Sequence, residues 1–237
     1  MDGLSRTHLN LQFVINTCST YFIRLYNNAG ANATFTMTLK PASSTQDFQF
    51  IGGNLALDFA NTVGNRLGTP RDYFVSQAEL TRWARLAGLI GKRETIVFHR
   101  SDWRRILEIR EELYQLFKPL AESKPVSSAA IARLNARLAK VASKRQLVVT
   151  KGEPRLIWKT EPNDPDRILG PILFAAVDML TSGSFKKIGE CADQNCGWLF
   201  LDRSQHGKRK WCSMTDCGNR DKVRRYYQRK KAGHVVA

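Results

Sequence analysis

Four cysteines near the carboxyl end of the chain have the spacing of a metal site. They are Cys191, Cys196, Cys212 and Cys217, which form two close pairs separated by 15 residues. Each pair can supply two thiolates from one tight turn, and the segment between the pairs can bring them together around a tetrahedral ion. Four thiolates complete the coordination shell of zinc, so we expect one structural Zn²⁺ with no position open to substrate.

An iron–sulfur cluster is the main alternative for four cysteine ligands. The long segment between the two pairs, which can form a hairpin, favours zinc. Chance clustering of unrelated cysteines is the other alternative, but only Cys18 lies outside the cluster. The chain shows neither a signal peptide nor an apolar run long enough to span a bilayer, so we expect a cytoplasmic location. In such a reducing compartment, cysteines bind metals more often than they form disulfides.

The residues around these ligands predict a small β-hairpin followed by a helix. Residues 197–201 favour one strand, and residues 208–211 can return as the second strand after a turn. Ser213 is a suitable N-cap for the helix, with Asp216 three residues further on. Cys217 would then lie in the first helical turn, where the helix dipole lowers the pKa of a thiol. This order of elements predicts a treble-clef-like zinc finger.

The segment around and after the last cysteine is strongly basic. Residues 186–231 contain 13 basic and 5 acidic residues, so half of the formal charge of +16 lies in one fifth of the chain. On a helix, Val223, Tyr226 and Tyr227 can share a face that packs back on the hairpin. The other positions predict contacts with nucleic-acid phosphates. They are Lys208, Arg209, Lys210, Arg220, Arg224, Arg225, Gln228, Arg229, Lys230 and Lys231.

Three other roles are consistent with this positive charge. A basic tail can be merely solvated, and a cationic helix can lie on anionic lipid, although this helix has few bulky aliphatic side chains. Binding of RNA is the third alternative, because Tyr226 and Tyr227 could stack on unpaired bases. We favour DNA as the partner, keep RNA as the alternative and expect no membrane contact.

Upstream of the finger, residues 48–184 have a mostly helical pattern. We expect Pro119 just past the end of the second long helix and Pro171 to kink the last helix or delay its regular part. The fold class is therefore mainly α with a small β-hairpin: a helical N-terminal domain over 48–184, then the zinc finger over 185–233. The periodicity predicts helices over 77–90, 101–117 and 127–143 and from 164 onwards, and strands over 146–150 and 155–159.

Asp58, Asn61 and Thr62 share one face of a predicted short helix over 54–62. They could line a small-molecule pocket, form the interface with the finger, or hydrogen-bond neighbouring backbone; we favour the last. His99 is the only histidine between residues 48 and 184. That region also has no phosphate-binding loop, nucleophile elbow or metalloprotease motif, so we do not expect an enzyme.

Residues 1–36 differ from the rest of the chain. They are rich in asparagine and threonine and have no steady helical or strand period. We interpret residues 1–47 as a disordered tail or a mispredicted N-terminal extension, with Met37 as the true start.

Two segments resemble known families. Residues 197–202, 211–214 and 217–220, the last reading Cys-Gly-Asn-Arg, resemble the CGNR zinc-finger family. Residues 50–62, Phe-Ile-Gly-Gly-Asn-Leu-Ala-Leu-Asp-Phe-Ala-Asn-Thr, resemble the start of the ABATE domain. These domains occur together in bacterial proteins described as stress-induced transcription regulators. The resemblance implies a helical domain that senses a signal or binds a partner, and a DNA-binding finger. One small finger would bind weakly, so we also expect a homodimer.

Overall fold

The computed structural model describes the backbone of residues 10–16, 20–26, 32–38 and 48–233, and the side chains of residues 48–231. The first three of these segments are strands β1 (Asn10–Asn16), β2 (Thr20–Tyr26) and β3 (Asn32–Thr38), which form an antiparallel sheet in that order. Aromatic and β-branched residues such as Phe13, Val14 and Ile23 favour strands. The interpretation of residues 1–47 as a disordered tail or a mispredicted extension stays a prediction. The start at Met37 stays a prediction, and residues 39–47 and Cys18 lie outside the described residues.

Five helices form the region between residues 48 and 184, in agreement with the predicted fold class. The side-chain oxygens of Asn54, Ser76 and Ser127 cap three of them by accepting hydrogen bonds from backbone N–H groups of the first turn. The helices are α1 (Leu55–Ala60), α2 (Gln77–Leu86), α3 (Arg100–Ala121), α4 (Ser128–Ala142) and α5 (Asp166–Thr181).

Two prolines lie inside these helices. Pro119 was expected just past the end of α3, but the helix continues to Ala121 and includes it in the last turn. Pro171 is part of α5, which begins at Asp166, so the predicted delay of its regular part is wrong. Pro171 is the sixth residue of α5 and lies beyond the four N–H groups that lack an intrahelical partner, so α5 continues through it at the cost of one backbone hydrogen bond.

A hairpin connects α4 to α5, as predicted. Its strands are β6 (Arg145–Thr150) and β7 (Glu153–Trp158), and both residues of the turn have positive φ angles. Trp158 packs edge-on against Phe174 of α5, with ring centroids 5.2 Å apart. A Cβ atom at Gly170 would overlap the Trp158 ring, so glycine is required there for this contact.

The larger of two hydrophobic clusters includes residues of the helical region and of the finger. Leu57, Phe59 and Trp83 of the first two helices are almost fully buried in it. So are residues of strands β8 (Ile188–Glu190) and β9 (Leu199–Leu201), which pair antiparallel. The finger therefore completes the core of the helical region. Among the described residues, no helix is both long and apolar enough to cross a membrane.

The side chain of Asn61 joins the two regions. Its Nδ2 donates to the Leu199 carbonyl at 2.8 Å, and its Oδ1 accepts from the Leu199 N–H at 3.0 Å. Both bonds are buried, so the amide pairs with β9 as a neighbouring strand would. The Trp198 indole donates to the Val63 carbonyl (2.9 Å), and the Tyr114 hydroxyl donates to the Gly197 carbonyl (3.0 Å).

An ion pair holds the segment that follows α1. Arg110 of α3 donates two 2.7 Å hydrogen bonds to the two carboxylate oxygens of Asp72. Asp72 belongs to β5 (Arg71–Asp72), which pairs with β4 (Val63–Gly64). The side chains of Arg110 and Asp72 are 2% and 5% exposed, and bidentate geometry offsets the penalty of burying both charges.

The hairpin predicted within the finger is wrong in its second strand. β9 pairs with β8 upstream, and residues 208–211 form no strand. The Asp202 carboxylate accepts hydrogen bonds from the N–H groups of Ser204 and Arg209 and thereby closes a loop. Ile188 is buried and anchors the partner strand in the core of the helical region, whereas three of residues 208–211 are basic and Trp211 packs against the cysteine cluster.

Asn61→Asp should destabilise the protein by about 2–4 kcal/mol, because the substitution replaces the donor to Leu199 with a buried, unpaired carboxylate oxygen. Urea unfolding at pH 8, followed by circular dichroism, measures this difference. Asn135→Asp, at an exposed position of α4, is the matched control and should change stability by less than about 0.5 kcal/mol. Equal effects of the two substitutions would contradict a structural role for the Asn61 amide.

Candidate metal centre and the adjoining cleft

The four cysteine sulfur atoms form a compact, buried cluster. All of them lie within 4.8 Å of one another, with 3.6 Å between Cys196 and Cys212 and 3.3 Å between Cys212 and Cys217. A tetrahedral Zn²⁺ with bonds of about 2.3 Å requires sulfur atoms about 3.8 Å apart. The cluster therefore fits one zinc ion with small shifts, as the spacing of the cysteines predicted.

Crowding drives the pKa values of the four thiols apart. Hydrogen bonding with Cys196 lowers the pKa of the Cys191 thiol, whereas hydrogen bonding with Cys191 raises the pKa of the Cys212 thiol. Four thiolates this close repel one another unless a cation lies between them. A bound Zn²⁺ would supply that charge and favour the deprotonated form of all four ligands.

The first ligand pair lies on a turn that is held by its own polar groups. The Cys196 N–H donates to the Asp193 carbonyl (3.0 Å), and the Asp193 carboxylate accepts from the Asn195 N–H (3.0 Å). Gly197 follows with a φ of 68°, a value that other residues rarely adopt. The turn also contacts the helical region, because the Arg66 N–H donates to the Cys196 carbonyl at 3.0 Å.

The second ligand pair leads into the last helix. Ser213 caps the turn as predicted, by accepting a hydrogen bond from the Asp216 N–H at 3.2 Å. The turn Met214–Gly218 is π-helical and continues into α6 (Asn219–Gly233). Cys217 lies in this turn, so the position of the last ligand is fixed relative to the start of α6.

Gly218 and Arg220 hold the junction between the last ligand and α6. Gly218 leaves room for Met214 and Trp211, which a Cβ atom would displace. Arg220 donates to the Cys217 sulfur at 2.9 Å and to the Asp193 carboxylate at 3.2 Å. Arg220, predicted from the sequence to contact nucleic acid, thus joins the two ligand turns while its side chain stays 56% exposed.

Arg209 has a structural role, and we therefore no longer count it among the candidate nucleic-acid contacts. Its guanidinium donates to the carbonyls of Trp211 (3.0 Å), Cys212 (2.6 Å) and Ile51 (3.0 Å). It also lies over the Phe200 ring, 4.2 Å from the centroid. These contacts occupy the donors that a phosphate would need. The basic sequence around Arg209 gave no sign of this role.

The predicted packing face of α6 is wrong. Val223, Tyr226 and Tyr227 are exposed by 55%, 56% and 57%, and the two tyrosine rings contact each other edge-on at 5.5 Å. The helix packs against the preceding π-helical turn, and residues 225–231 are exposed on every side. The helix therefore projects from the finger and does not fold back onto it.

The charges of α6 divide into two faces. Arg224 is only 26% exposed and pairs with Asp221 at 2.9 Å, on the same side as Arg220. The opposite face has a basic stripe, defined as Lys222, Arg225, Arg229 and Lys230, with Tyr226 within it. Sequence analysis did not include Lys222 among the predicted contact residues. Its helical spacing to Arg225 and Arg229 was enough to place it on the same face.

The other predicted contact residues lie outside the stripe. Lys208 and Lys210 are exposed on the loop before Cys212, and Gln228 and Lys231 are exposed elsewhere on α6. Arg225 also pairs with Asp221 at 2.7 Å but keeps 61% of its side chain exposed. The stripe is therefore the more continuous basic surface.

A cleft lies between α1 and the finger, beside the cysteine cluster. Its volume is about 140 Å³, and Asp58, Asn61 and Thr62 all line it. Asn61 holds the finger, whereas the Thr62 hydroxyl donates to the Phe59 carbonyl at 2.7 Å. The structure thus brings the three residues together and gives each a different partner.

Asp58 is the titratable group of this cleft. One of its oxygens accepts a 2.7 Å hydrogen bond from the Gly52 N–H, and the residue is 8% exposed. Burial raises the pKa of Asp58 to about 6, although the Gly52 hydrogen bond and the charge of Arg209 oppose the shift. A buried carboxyl with a raised pKa in a cleft is typical of functional sites.

Comparison with family models gives two matches that cover this architecture. Residues 53–183 match the ABATE family, described as "Putative stress-induced transcription regulator", and residues 187–230 match the CGNR zinc finger. The order of the two agrees with the resemblance found in the sequence, and the second match includes all four cysteines. No curated protein of similar sequence was found.

The purified protein should contain one zinc ion per chain, and Cys212→Ser should lose most of it because only three thiolates remain. Elemental analysis after gel filtration measures the ratio of metal to protein. Cys18→Ser changes the cysteine outside the cluster and should keep the ratio near one. Retention of a full zinc ion by Cys212→Ser would contradict the ligand assignment, as would iron in place of zinc.

Asp58→Asn should stabilise the protein at pH 8, by up to about 3 kcal/mol for a shift of this size. The folded carboxyl holds its proton to a higher pH than the unfolded one. Stability due to Asp58 therefore falls as the pH rises from about 4 to about 6, and an amide avoids this loss. Urea unfolding at pH 4 and pH 8 measures the gain, which should shrink at the lower pH. A gain that does not depend on pH would contradict the assignment.

Proposed function

Because this chain belongs to the ABATE family and ends in a CGNR zinc finger, we propose that it is a transcription regulator that binds DNA through α6. The observation that supports the proposal most directly is the basic stripe on a helix that projects into solvent. Phosphate contacts from such a stripe provide affinity without the need for a deep interface.

The dimensions of α6 suit a DNA groove. Its 15 residues give a length of about 22 Å, and a helix with its side chains fits a major groove that is about 12 Å wide. Because residues 225–231 are exposed on every side, the helix can enter a groove while the finger remains outside. Arg225 and Arg229 could then reach phosphates or guanine edges.

In this proposal, zinc orients the helix and takes no part in chemistry. Cys217 lies in the π-helical turn that continues directly into α6. Arg220 connects its sulfur to Asp193, which lies between the two cysteines of the first ligand pair. Ordering of these turns by zinc would fix the direction in which the basic stripe points. Loss of zinc should therefore weaken binding even though the charges remain.

RNA is the second candidate partner. Tyr226 lies within the basic stripe and is 56% exposed, which suits stacking on an unpaired base. Duplex DNA would instead use the tyrosine only for backbone contacts. Competition between duplex DNA and single-stranded RNA of equal length separates the two candidates.

The helical region would regulate the finger in this proposal. Its core includes β9, so a change near α1 can reach the strand that precedes the second ligand pair. A response to stress, a cytoplasmic location, a homodimer and the lack of enzymatic activity belong to the same proposal and remain predictions.

The proposal is tested by fluorescence anisotropy of the zinc-loaded full chain with a 30-base-pair duplex, over a series of salt concentrations. Arg229→Ala should weaken binding and reduce the slope of log K against log salt by about one, because one phosphate contact is lost. Chelation of zinc should abolish tight binding. Arg93→Ala removes the same charge from an exposed position of the helical region and is the matched control.

Identical salt slopes for Arg229→Ala and Arg93→Ala would show that the stripe is not the contact surface. Binding that survives chelation would remove zinc from the mechanism. If the wild-type chain does not bind the duplex at low salt but binds single-stranded RNA, the RNA candidate replaces the DNA proposal.

A further inference from the structure

We propose that the cleft between α1 and the finger binds a small organic cation with an apolar or aromatic body. The cleft opens beside Asp58 on the helical region and beside Cys196, Cys212 and Cys217 on the finger. This binding site is independent of the basic stripe and does not require that the protein binds DNA.

Charge favours a cation in this cleft although the chain as a whole carries +16. Asp58 and Asp216 line it, and a zinc ion bound by the four thiolates would add a net charge of about −2 beside it. Among the described residues, Arg220 is the only basic side chain in the lining, and its Nε and Nη2 already donate to Asp193 and Cys217. The side chains that line the cleft therefore carry more negative than positive charge, although the guanidinium groups of Arg82 and Arg71 lie behind it, over the rings of Phe48 and Tyr73.

Aromatic rings form much of the remaining wall. Phe48, Tyr73, Trp83 and Trp198 all line the cleft. The ring centroids of Phe48 and Tyr73 are 6.3 Å apart, and those of Tyr73 and Trp198 are 6.2 Å apart, so these rings form a continuous surface. Aromatic faces attract cations and apolar groups alike, whereas they offer nothing to an anion.

One oxygen of Asp58 remains available to a ligand. The other oxygen accepts the Gly52 hydrogen bond, and no further hydrogen bond to this carboxylate occurs among residues 48–231. An ammonium group placed here would gain a charge-assisted hydrogen bond in a site that is 8% exposed. Such a ligand would also offset the unfavourable burial of the charge on Asp58.

The size of the cleft limits the ligand to about one ring. A cavity of about 150 Å³ holds benzene in another protein, and this cleft has about 140 Å³. A nucleotide or a peptide segment would exceed it. We therefore infer a compact amine or quaternary ammonium compound.

A ligand in the cleft would touch both parts of the protein. Asp58 and Trp83 belong to the helical region, whereas Trp198 and Arg220 belong to the finger. Occupancy would stabilise the contact between them and the position of the first turn of α6. This arrangement makes the cleft a site from which a small molecule could act on the finger.

The test uses three probes of one shape, namely benzylamine, benzyl alcohol and benzoate, at pH 8 and equal ionic strength. Trp83 and Trp198 in the wall report binding through tryptophan fluorescence, and the shift of the unfolding temperature is the second readout. We expect saturable binding of benzylamine at least about tenfold tighter than that of benzyl alcohol, which corresponds to about 1.4 kcal/mol. Benzoate should bind more weakly than either.

Asp58→Asn keeps the shape of the side chain and removes its charge. It should therefore remove the preference for benzylamine, so that benzylamine and benzyl alcohol bind with equal affinity. Glu161→Gln, at an exposed acidic position, is the matched control and should preserve the preference. Equal binding of the amine and the alcohol by the wild type, tighter binding of benzoate, or no saturable binding of benzylamine would each overturn the proposal. None of these outcomes bears on duplex DNA binding, which is measured separately.

Discussion

Repulsion among four sulfur atoms within 4.8 Å of one another is the constraint on which the finger depends. The thiolates can be held together only by a shared cation, and the donor set fits zinc. Both ligand turns, the cluster that includes Trp198 and Phe200, and the first turn of α6 are arranged around this point. Arg220 adds a positive charge against one sulfur and thereby connects the metal ligands with the helix that we propose to bind nucleic acid.

The finger and the helical region share a core and do not form two separate globules. Leu199 and Leu201 are buried with residues of α1 to α5, and Asn61 pairs with the backbone of β9 from the other side. Side chains from both regions also enclose the cleft beside Asp58. A disturbance at either side of this interface therefore alters packing at the other, which is the physical requirement for regulation between two sites.

Local signals in the sequence predicted a large part of this structure. The cysteine spacing identified the ligands, and Ser213 marked the start of the last helix because a cap needs only its own next turn. Features that depend on distant residues escaped prediction. The pairing of β9 with β8 depends on burial of Ile188 in another region, and the role of Arg209 depends on carbonyls such as that of Ile51. Tyr226 and Tyr227 have an amphipathic spacing, but they stay more than half exposed because no other element among residues 48–231 packs against them.

The position of β9 also affects how the protein can fold while it is being made. Residues 48–184 leave the ribosome first, with Asn61 lacking its backbone partner and the places of Leu199 and Leu201 in the core unfilled. The helices can form at this stage, but their core is incomplete until the last fifty residues emerge and acquire metal. Tertiary folding of the first region therefore finishes only after β9 has left the exit tunnel and Leu199 and Leu201 have entered the core.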